Sequence, residues 1–330
     1  MKLSALGDIV HALPVAAALR ALLPSAAITW VVERRHAAVL RQHPALDELI
    51  VVDTHAWRRA RRAGDLTMAA HDIGAVRRRL RDARFDVAID LQGNVKSGAL
   101  TGVTRAPLRI GFTADRCREP LNAIFTNRRV RPPGSAVHVV DQYLALLAPL
   151  GATAGAAVAF HLPSDAAAEQ SIDEFFATAG LKAHDRLVVL NPGAGHARKR
   201  WPVERFAELA KRLATADAAR VLVVWGPGEE ALAQPIVEAG QRGWTLLAPP
   251  TDLDALIALL RRTSVLVSAD SGPLHLAAAL GVACVGLFGP TSSRRNGPYG
   301  AGHHALDGVG GTVQAIDVDA VVRAVTELAA

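Results

Sequence analysis

Residues 264–291 read "SVLVSADSGPLHLAAALGVACVGLFGPT", and this stretch decides the fold. Its opening run is apolar and β-branched, which predicts a strand over 264–270. Asp270, Ser271 and Gly272 end that run, and Pro273 opens a helix predicted over 273–280, at a favoured first position. A second apolar run predicts a strand over 283–289. Continuous apolar strands separated by helices mean a parallel sheet buried on both faces.

The same alternation extends outward in both directions. Strands are predicted over 186–193, 219–226 and 244–248, with helices over 203–215, 228–240, 252–262 and about 316–329. The N-terminal half repeats the logic, with helices over 9–22, 35–42, 95–103 and 137–149 and strands over 27–32, 48–53, 85–91 and 108–112. Between the halves, "PLGATAGAAVAFHLPSD" (149–165) is rich in small residues and bounded by proline. It predicts two domains, 1–155 and 156–330, as a length of 330 residues also suggests. Two such domains in tandem are expected to leave a cleft at the carboxyl ends of their strands, where open α/β sheets bind ligands.

Composition narrows the function. No run of about 18 apolar residues predicts a transmembrane helix. Asp8 and His11 interrupt the start too early for a signal peptide, so a cytoplasmic location is expected. Two cysteines, Cys117 and Cys284, make no disulfide framework, and the histidines lack ligand spacing, so no metal site is expected. The net charge of +6 is uneven: residues 1–160 hold 22 Lys and Arg against 13 Asp and Glu, and the rest hold 15 against 18. The basic runs 57–62, 76–84 and 127–131 are either solvated helix faces or a surface for an anionic partner. Aromatic residues do not interleave the arginines and no recognition motif accompanies them, so nucleic acid is not expected as the partner.

Four loops that follow strands carry the candidate chemistry: "SALGDIVH" (4–11), "NPGAGHARKRWP" (191–202), "WGPGEE" (225–230) and "SADSGPLHLAAALG" (268–281). At Asp270-Ser271-Gly272 the backbone N–H groups of a helix start favour a phosphate, Gly272 permits close approach, and His275 lies within one turn. Asp270 would hold sugar hydroxyls or the loop itself, and plain N-capping also accounts for Asp and Ser here. In "NPGAGHARKRWP" (191–202), Gly193-x-Gly195 resembles a dinucleotide fingerprint, but Arg198 stands where its third glycine belongs. Lys199 is instead placed to neutralise a phosphate, with surface charge as the alternative. The pairs Asp252/Asp254 and Asp317/Asp319 open helices and read as caps rather than metal ligands. In "SALGDIVH" (4–11), Asp8 is either an early-helix carboxylate or a general base.

Taken together, "LSALGDIVHALP", "DLQGNVKSGAL" (90–100), "KRWP" and "SADSGPLHLAAALGVACVGLFGPT" resemble the family 9 glycosyltransferases, the ADP-heptose:lipopolysaccharide heptosyltransferases. The resemblance implies a GT-B fold, an α/β architecture of two Rossmann-like domains with a C-terminal helix. It also implies inverting, metal-independent transfer of heptose from ADP-heptose to the lipopolysaccharide inner core. Asp8 would be the general base and Lys199 the cation for the leaving diphosphate. Ser271, Gly272 and His275 would hold the phosphates, with Gly195 beside them, and Asp270 the sugar. Glu229 or Glu230 would meet the ribose and Thr251 would lie near the adenine. His11, Gln92 and Lys96 would serve the acceptor, an anionic glycolipid, so a monomer in peripheral contact with the inner membrane is expected. Where the family often has hydroxyl residues before Lys-x-Trp-Pro, Pro192-Gly193-Ala194-Gly195 leaves that work to backbone N–H groups. A family relative using another nucleotide sugar, and a non-catalytic nucleotide-sugar binding protein, are the alternatives.

One element is short. A Gly-Asp loop at the end of a first strand needs that strand, and Met1-Lys2-Leu3 supplies only its last residues. About five apolar residues upstream of Met1 are therefore expected, the usual strand length.

Overall fold

A computed structural model describes residues 1–153, 158–216 and 219–328. The chain divides into two units, Met1–His161 and Leu162–Ala330. The boundary expected between residues 155 and 156 lies outside the described residues.

In the first unit, β1 (Thr29–Glu33) pairs in parallel with β2 (Glu48–Val52). A separate parallel ladder joins β3 (Val87–Ile89), β4 (Leu108–Phe112) and β5 (Arg128–Val130). Residues 1–3 lie between the two ladders. The Met1 amine donates to Ile89 O (2.7 Å), Leu91 N donates to Met1 O (3.0 Å), and Glu33 N donates to Leu3 O (3.2 Å). Leu3 is fully buried with Val31, Ile50, Val52 and Leu80. Three residues thus occupy the central position and give the order β2-β1-(1–3)-β3-β4-β5, that of a doubly wound sheet. In line with Met1, a cavity of about 460 Å³ runs between Thr29–Val31 of β1 and Val87–Ile89 of β3.

The helix expected over 9–22 is two helices, Leu6–Val10 and Leu13–Leu22. Pro14 explains the break, because it has no N–H to offer the Val10 carbonyl. The stretch at 35–42 is a 3₁₀ helix over Arg34–Leu40, and the helix expected over 137–149 becomes α-helix Val139–Leu144 followed by 3₁₀ turns to Leu150, with Pro149 inside.

The second unit is one parallel sheet of six strands: β6 (Leu187–Asn191), β7 (Arg220–Val223), β8 (Thr245–Leu247), β9 (Val265–Ala269), β10 (Ala283–Phe288) and β11 (His303–Asp307). Their order is β11-β10-β9-β6-β7-β8. Strand order reverses between β6 and β9, so the loops after these two strands diverge and open a site. Every residue of β6 and β9 is buried. Val188, Leu190, Val221, Val223, Val265, Val267, Val285 and Leu287 alternate along their strands and pack with Phe206, Leu209, Leu213, Val321 and Val325 of helices Val203–Ala216 and Val318–Leu328. Each such side chain contributes about 1.5–3 kcal/mol of burial.

Two elements of this unit escape the sequence pattern. Helix Ala166–Thr178 buries only Ile172, so it carries almost no apolar stripe. Asp165 caps it, and Arg262 holds it through Glu169 (2.5 Å) and Asp173 (2.6 Å). β11 is an edge strand of mixed polarity, fixed by its pairing with β10.

Candidate active site

At the β6/β9 divergence three sequence-predicted residues meet. Lys199 Nζ donates to Asp270 Oδ2 (2.7 Å), and His275 Nε2 lies 3.0 Å from Asp270 Oδ1. The Asp270 side chain is 10% exposed, Lys199 20% and His275 4%. Burial would push the Asp270 carboxyl up, but the bond to His275 and then the Lys199 ammonium outweigh it and hold the group well below the usual carboxylate range. Ser271 stands at the N-cap of helix Gly272–Ala279, yet no side chain caps the helix. The Ser271 hydroxyl instead meets Ser268 Oγ (2.9 Å) and accepts from Asn191 Nδ2 (3.1 Å). The first turn of this helix, beginning at Gly272, therefore offers backbone N–H groups and the positive end of its dipole to an anion.

Lys199 is held in place by its neighbours. Trp201 is 1% exposed, donates from Nε1 to Ile316 O (3.0 Å) and stacks edge-on against Phe206 at 4.9 Å. Arg205 also donates to Ile316 O, and Gln314 Nε2 donates to Arg200 O (3.2 Å). The Trp-Pro pair is thus a core anchor for a short 3₁₀ turn, Ala197–Lys199, that presents the lysine.

Glu229 and Glu230, left as alternatives by the sequence, are separated by the structure. Glu230 is exposed at the start of helix Glu230–Ala239. Glu229 is half-buried, accepts from Gly226 N (3.3 Å) and pairs with Arg200 (3.3 Å). Its carboxylate lies over Gly193, where a Cβ would fall 2.0 Å from Oε2. Gly195, in contrast, is exposed with open space at its Cβ position. Thr251 is half-buried beside Asp252, whose carboxylate caps helix Leu253–Arg261 through Ala255 N (2.9 Å). Asp319 pairs with Arg212 (2.5 Å). Among the described residues no three His, Cys, Asp or Glu side chains gather at ligand distance.

The first unit has its own divergence point, where residues 4–8 and 90–97 leave neighbouring strands. Asp8 lies in the first turn of helix Leu6–Val10. Its Oδ2 accepts from Ala5 N (3.2 Å), its Oδ1 is 3.9 Å from Lys2 Nζ, and its side chain is 38% exposed. Lys2 is buried and donates to Tyr143 Oη (2.6 Å) and Leu91 O (3.2 Å). Gln92 is buried and its Oε1 accepts from Leu3 N (2.9 Å) and Ser4 N (3.2 Å), which ties the Asp8 loop to the segment after β3.

Within that segment Asp90 is wholly buried and accepts from Gln92 N, Gly93 N, Ser97 Oγ and Asn122 Nδ2. Gly93 adopts φ +71°, a conformation suited to glycine, with Arg118 N 3.3 Å from its Cβ position. Lys96 donates to Glu33 Oε1 (2.8 Å) and Thr54 Oγ1 (3.1 Å). Burial would raise the Glu33 carboxyl, but Lys96 and Thr54 hold it low. His11 is buried, with its ring edge-on to His138 at 5.3 Å. Sequence reasoning missed Asn191, Ser268, Arg200, Glu33 and Thr54, because each acts through residues distant in the chain. Only Asn191, at the end of an apolar strand, carries a local signal.

Residues 73–309 match the family "Glycosyltransferase family 9 (heptosyltransferase)". Lipopolysaccharide heptosyltransferase 1 of Pseudomonas aeruginosa is 30% identical over 309 residues, covering 91% of this chain and 80% of that protein. A family 9 glycosyltransferase structure from Veillonella parvula superposes with a TM-score of 0.84 at 26% identity, covering 99% of this chain and 95% of that one. The Escherichia coli heptosyltransferase WaaC, solved with ADP-2-deoxy-2-fluoro heptose, gives 0.77 at 27% identity, covering 99% and 98%. Two Rossmann-ordered units and this likeness make the fold GT-B. The chain belongs to glycosyltransferase family 9, and it is a glycosyltransferase.

Proposed function

We propose that the protein transfers heptose from ADP-heptose to the inner core of lipopolysaccharide in one inverting displacement. The observation that carries this reading is the pairing of Lys199 and His275 on one buried carboxylate beside the helix that starts at Gly272. Lys199 and the helix N–H groups offset the negative charge that develops on the diphosphate as it leaves with the bonding pair, so no metal ion is required in this scheme. Ser271, Gly272, His275 and Gly195 line the phosphates. Asp270 orients Lys199 and His275, since both of its oxygens are engaged by them. Glu229, rather than Glu230, meets the ribose because it is the one turned inward over Gly193. Thr251 lies by the adenine.

The first unit serves the acceptor. Asp8 takes the proton of the acceptor hydroxyl as that oxygen attacks the anomeric carbon, and the diphosphate departs with the bonding pair. Lys2 and Ala5 N–H fix the carboxylate for that task. Lys96 meets an anionic group of the acceptor, oriented by Glu33, while Gln92 and His11 shape the loop. Asp8→Asn is the test: ADP affinity by calorimetry stays unchanged while turnover falls about 10²–10⁴-fold. Turnover that survives the change would remove Asp8 as base, and a chain that binds the donor but never transfers would be a binding protein. A calorimetric series of ADP, UDP and GDP decides the donor; preference for UDP or GDP would point to a relative using another nucleotide sugar.

A further inference from the structure

We propose that the 3₁₀ turn Pro120–Phe125 of the first unit is a docking element for an anionic lipid surface. Leu121 is 67% exposed and Ile124 69%. Side chains three apart in a 3₁₀ helix stack on one face, so the two project together. The opposite side of the turn is clamped. Asn122 is fully buried and donates to Asp90 Oδ2 (2.6 Å) and Asn94 O (2.7 Å), and Ala123 is 4% exposed. Phe125 closes over Gly98 and Gly102, whose Cβ positions would lie 2.6 and 3.2 Å from its ring. A turn fixed this firmly cannot fold its two aliphatic side chains away, and rigidly exposed apolar groups of this kind mark contact surfaces.

The surroundings select the partner. Exposed Arg116, Arg118, Arg128, Arg129 and Arg131 flank the turn in sequence, and the acidic residues of 115–131 are Asp115 and Glu119 alone. Asp115 pairs with Arg131 (2.9 Å) and Arg116 (3.7 Å), Arg129 Nε donates to Ala123 O (3.1 Å), and Glu119 accepts from Val95 N (2.8 Å). With five arginines against two carboxylates, residues 115–131 carry a net charge of +3, and a positive segment bearing an exposed aliphatic pair complements an anionic bilayer face: the aliphatic groups enter the headgroup boundary and the uncompensated arginines meet phosphates. The turn is also bonded to the acceptor segment, since Glu119 N donates to Gly93 O (3.0 Å). Docking therefore sets Lys96 at the lipid surface; this consequence rests on reading the first unit as the acceptor side.

The test is co-sedimentation with vesicles of phosphatidylcholine alone and with about one third phosphatidylglycerol. The chain is expected on the anionic vesicles, released by salt. The double variant L121S/I124S is expected to lose about tenfold or more in partition, with melting temperature and ADP affinity unchanged. Leu121→Trp is expected to gain fluorescence quenching by brominated acyl chains beyond that of the parent. Heptosyl transfer by L121S/I124S is expected to fall on acceptor embedded in vesicles and to persist on a delipidated, water-soluble acceptor. Equal partition of parent and double variant, or no partition at all, overturns the proposal. So does self-association through the turn without vesicle binding, and so does loss of transfer on the soluble acceptor. Vesicle binding through the turn in a protein that transfers nothing supports docking and removes only the transferase reading.

Discussion

Lys199 and Asp270, 71 residues apart, form an ion pair at 2.7 Å in which the carboxylate also engages His275. One buried anion thereby aligns a lysine from the turn Ala197–Lys199 and a histidine from helix Gly272–Ala279. Removing the ammonium with Lys199→Ala should weaken ADP far more than adenosine. A hydrogen bond to a charged group is worth about 1.5–3 kcal/mol, so ADP affinity should fall roughly 10- to 100-fold by calorimetry. Equal losses for the two ligands would show that Lys199 does not meet the diphosphate.

The same carboxylate gives a pH signature. Its folded-state value is depressed below 3.8, so its stabilising contribution is complete above that value and is lost as pH falls through the folded one. The melting temperature of the parent should therefore drop below about pH 4 with a component that Asp270→Asn lacks. At neutral pH the variant should be less stable by about 1–3 kcal/mol. Parallel acid profiles for the two proteins would contradict this.

Gly193 and Gly195 should respond differently to alanine. At Gly193 the new Cβ meets the Glu229 carboxylate, so Glu229 must move, and nucleoside affinity and stability should both fall. At Gly195 there is open space, so stability should change by less than about 0.5 kcal/mol. Any loss of ADP affinity in Gly195→Ala then reports close approach of the phosphate. Thermal melts with calorimetry on both variants read the contrast.

Trp201→Phe removes the bond to Ile316 O while keeping an aromatic ring near Phe206. A stability cost of about 1–3 kcal/mol is expected by denaturant titration, together with a raised donor KM from a less firmly held Lys199. An unchanged donor KM with lowered stability would confine Trp201 to the core.

The acceptor KM should rise with salt more steeply than the donor KM. Exposed charges are screened over about 8 Å at physiological ionic strength, and residues 1–160 carry 22 Lys and Arg against 13 Asp and Glu, a net charge of +9. Salt-independent acceptor kinetics would make those arginines a solvated surface only.

The sequence by itself determined the alternation of strands and helices, because continuous apolar runs such as 187–190 and 265–267 are legible wherever both faces of a strand are buried. It also marked Asp8, Lys199, Asp270 and His275, since loops after strands with Gly, Pro and charge stand out locally. It missed helix Ala166–Thr178, held by Arg262 rather than by an apolar stripe, and the edge strand β11, held by its neighbour. Tertiary structure alone decided that Met1–Leu3 bond to both ladders of the first unit, that Glu229 rather than Glu230 turns inward, and that Asp270 engages Lys199 and His275. It likewise made Gln92, expected from the sequence to serve the acceptor, a tie between two loops. The reason is physical. Periodicity and turn chemistry act over a few residues and are written in the chain, whereas the direction of a polar side chain depends on partners 70 to 90 positions away, such as Asp270 for Lys199 or Leu3 for Gln92, which only the folded sheet brings within hydrogen-bonding distance.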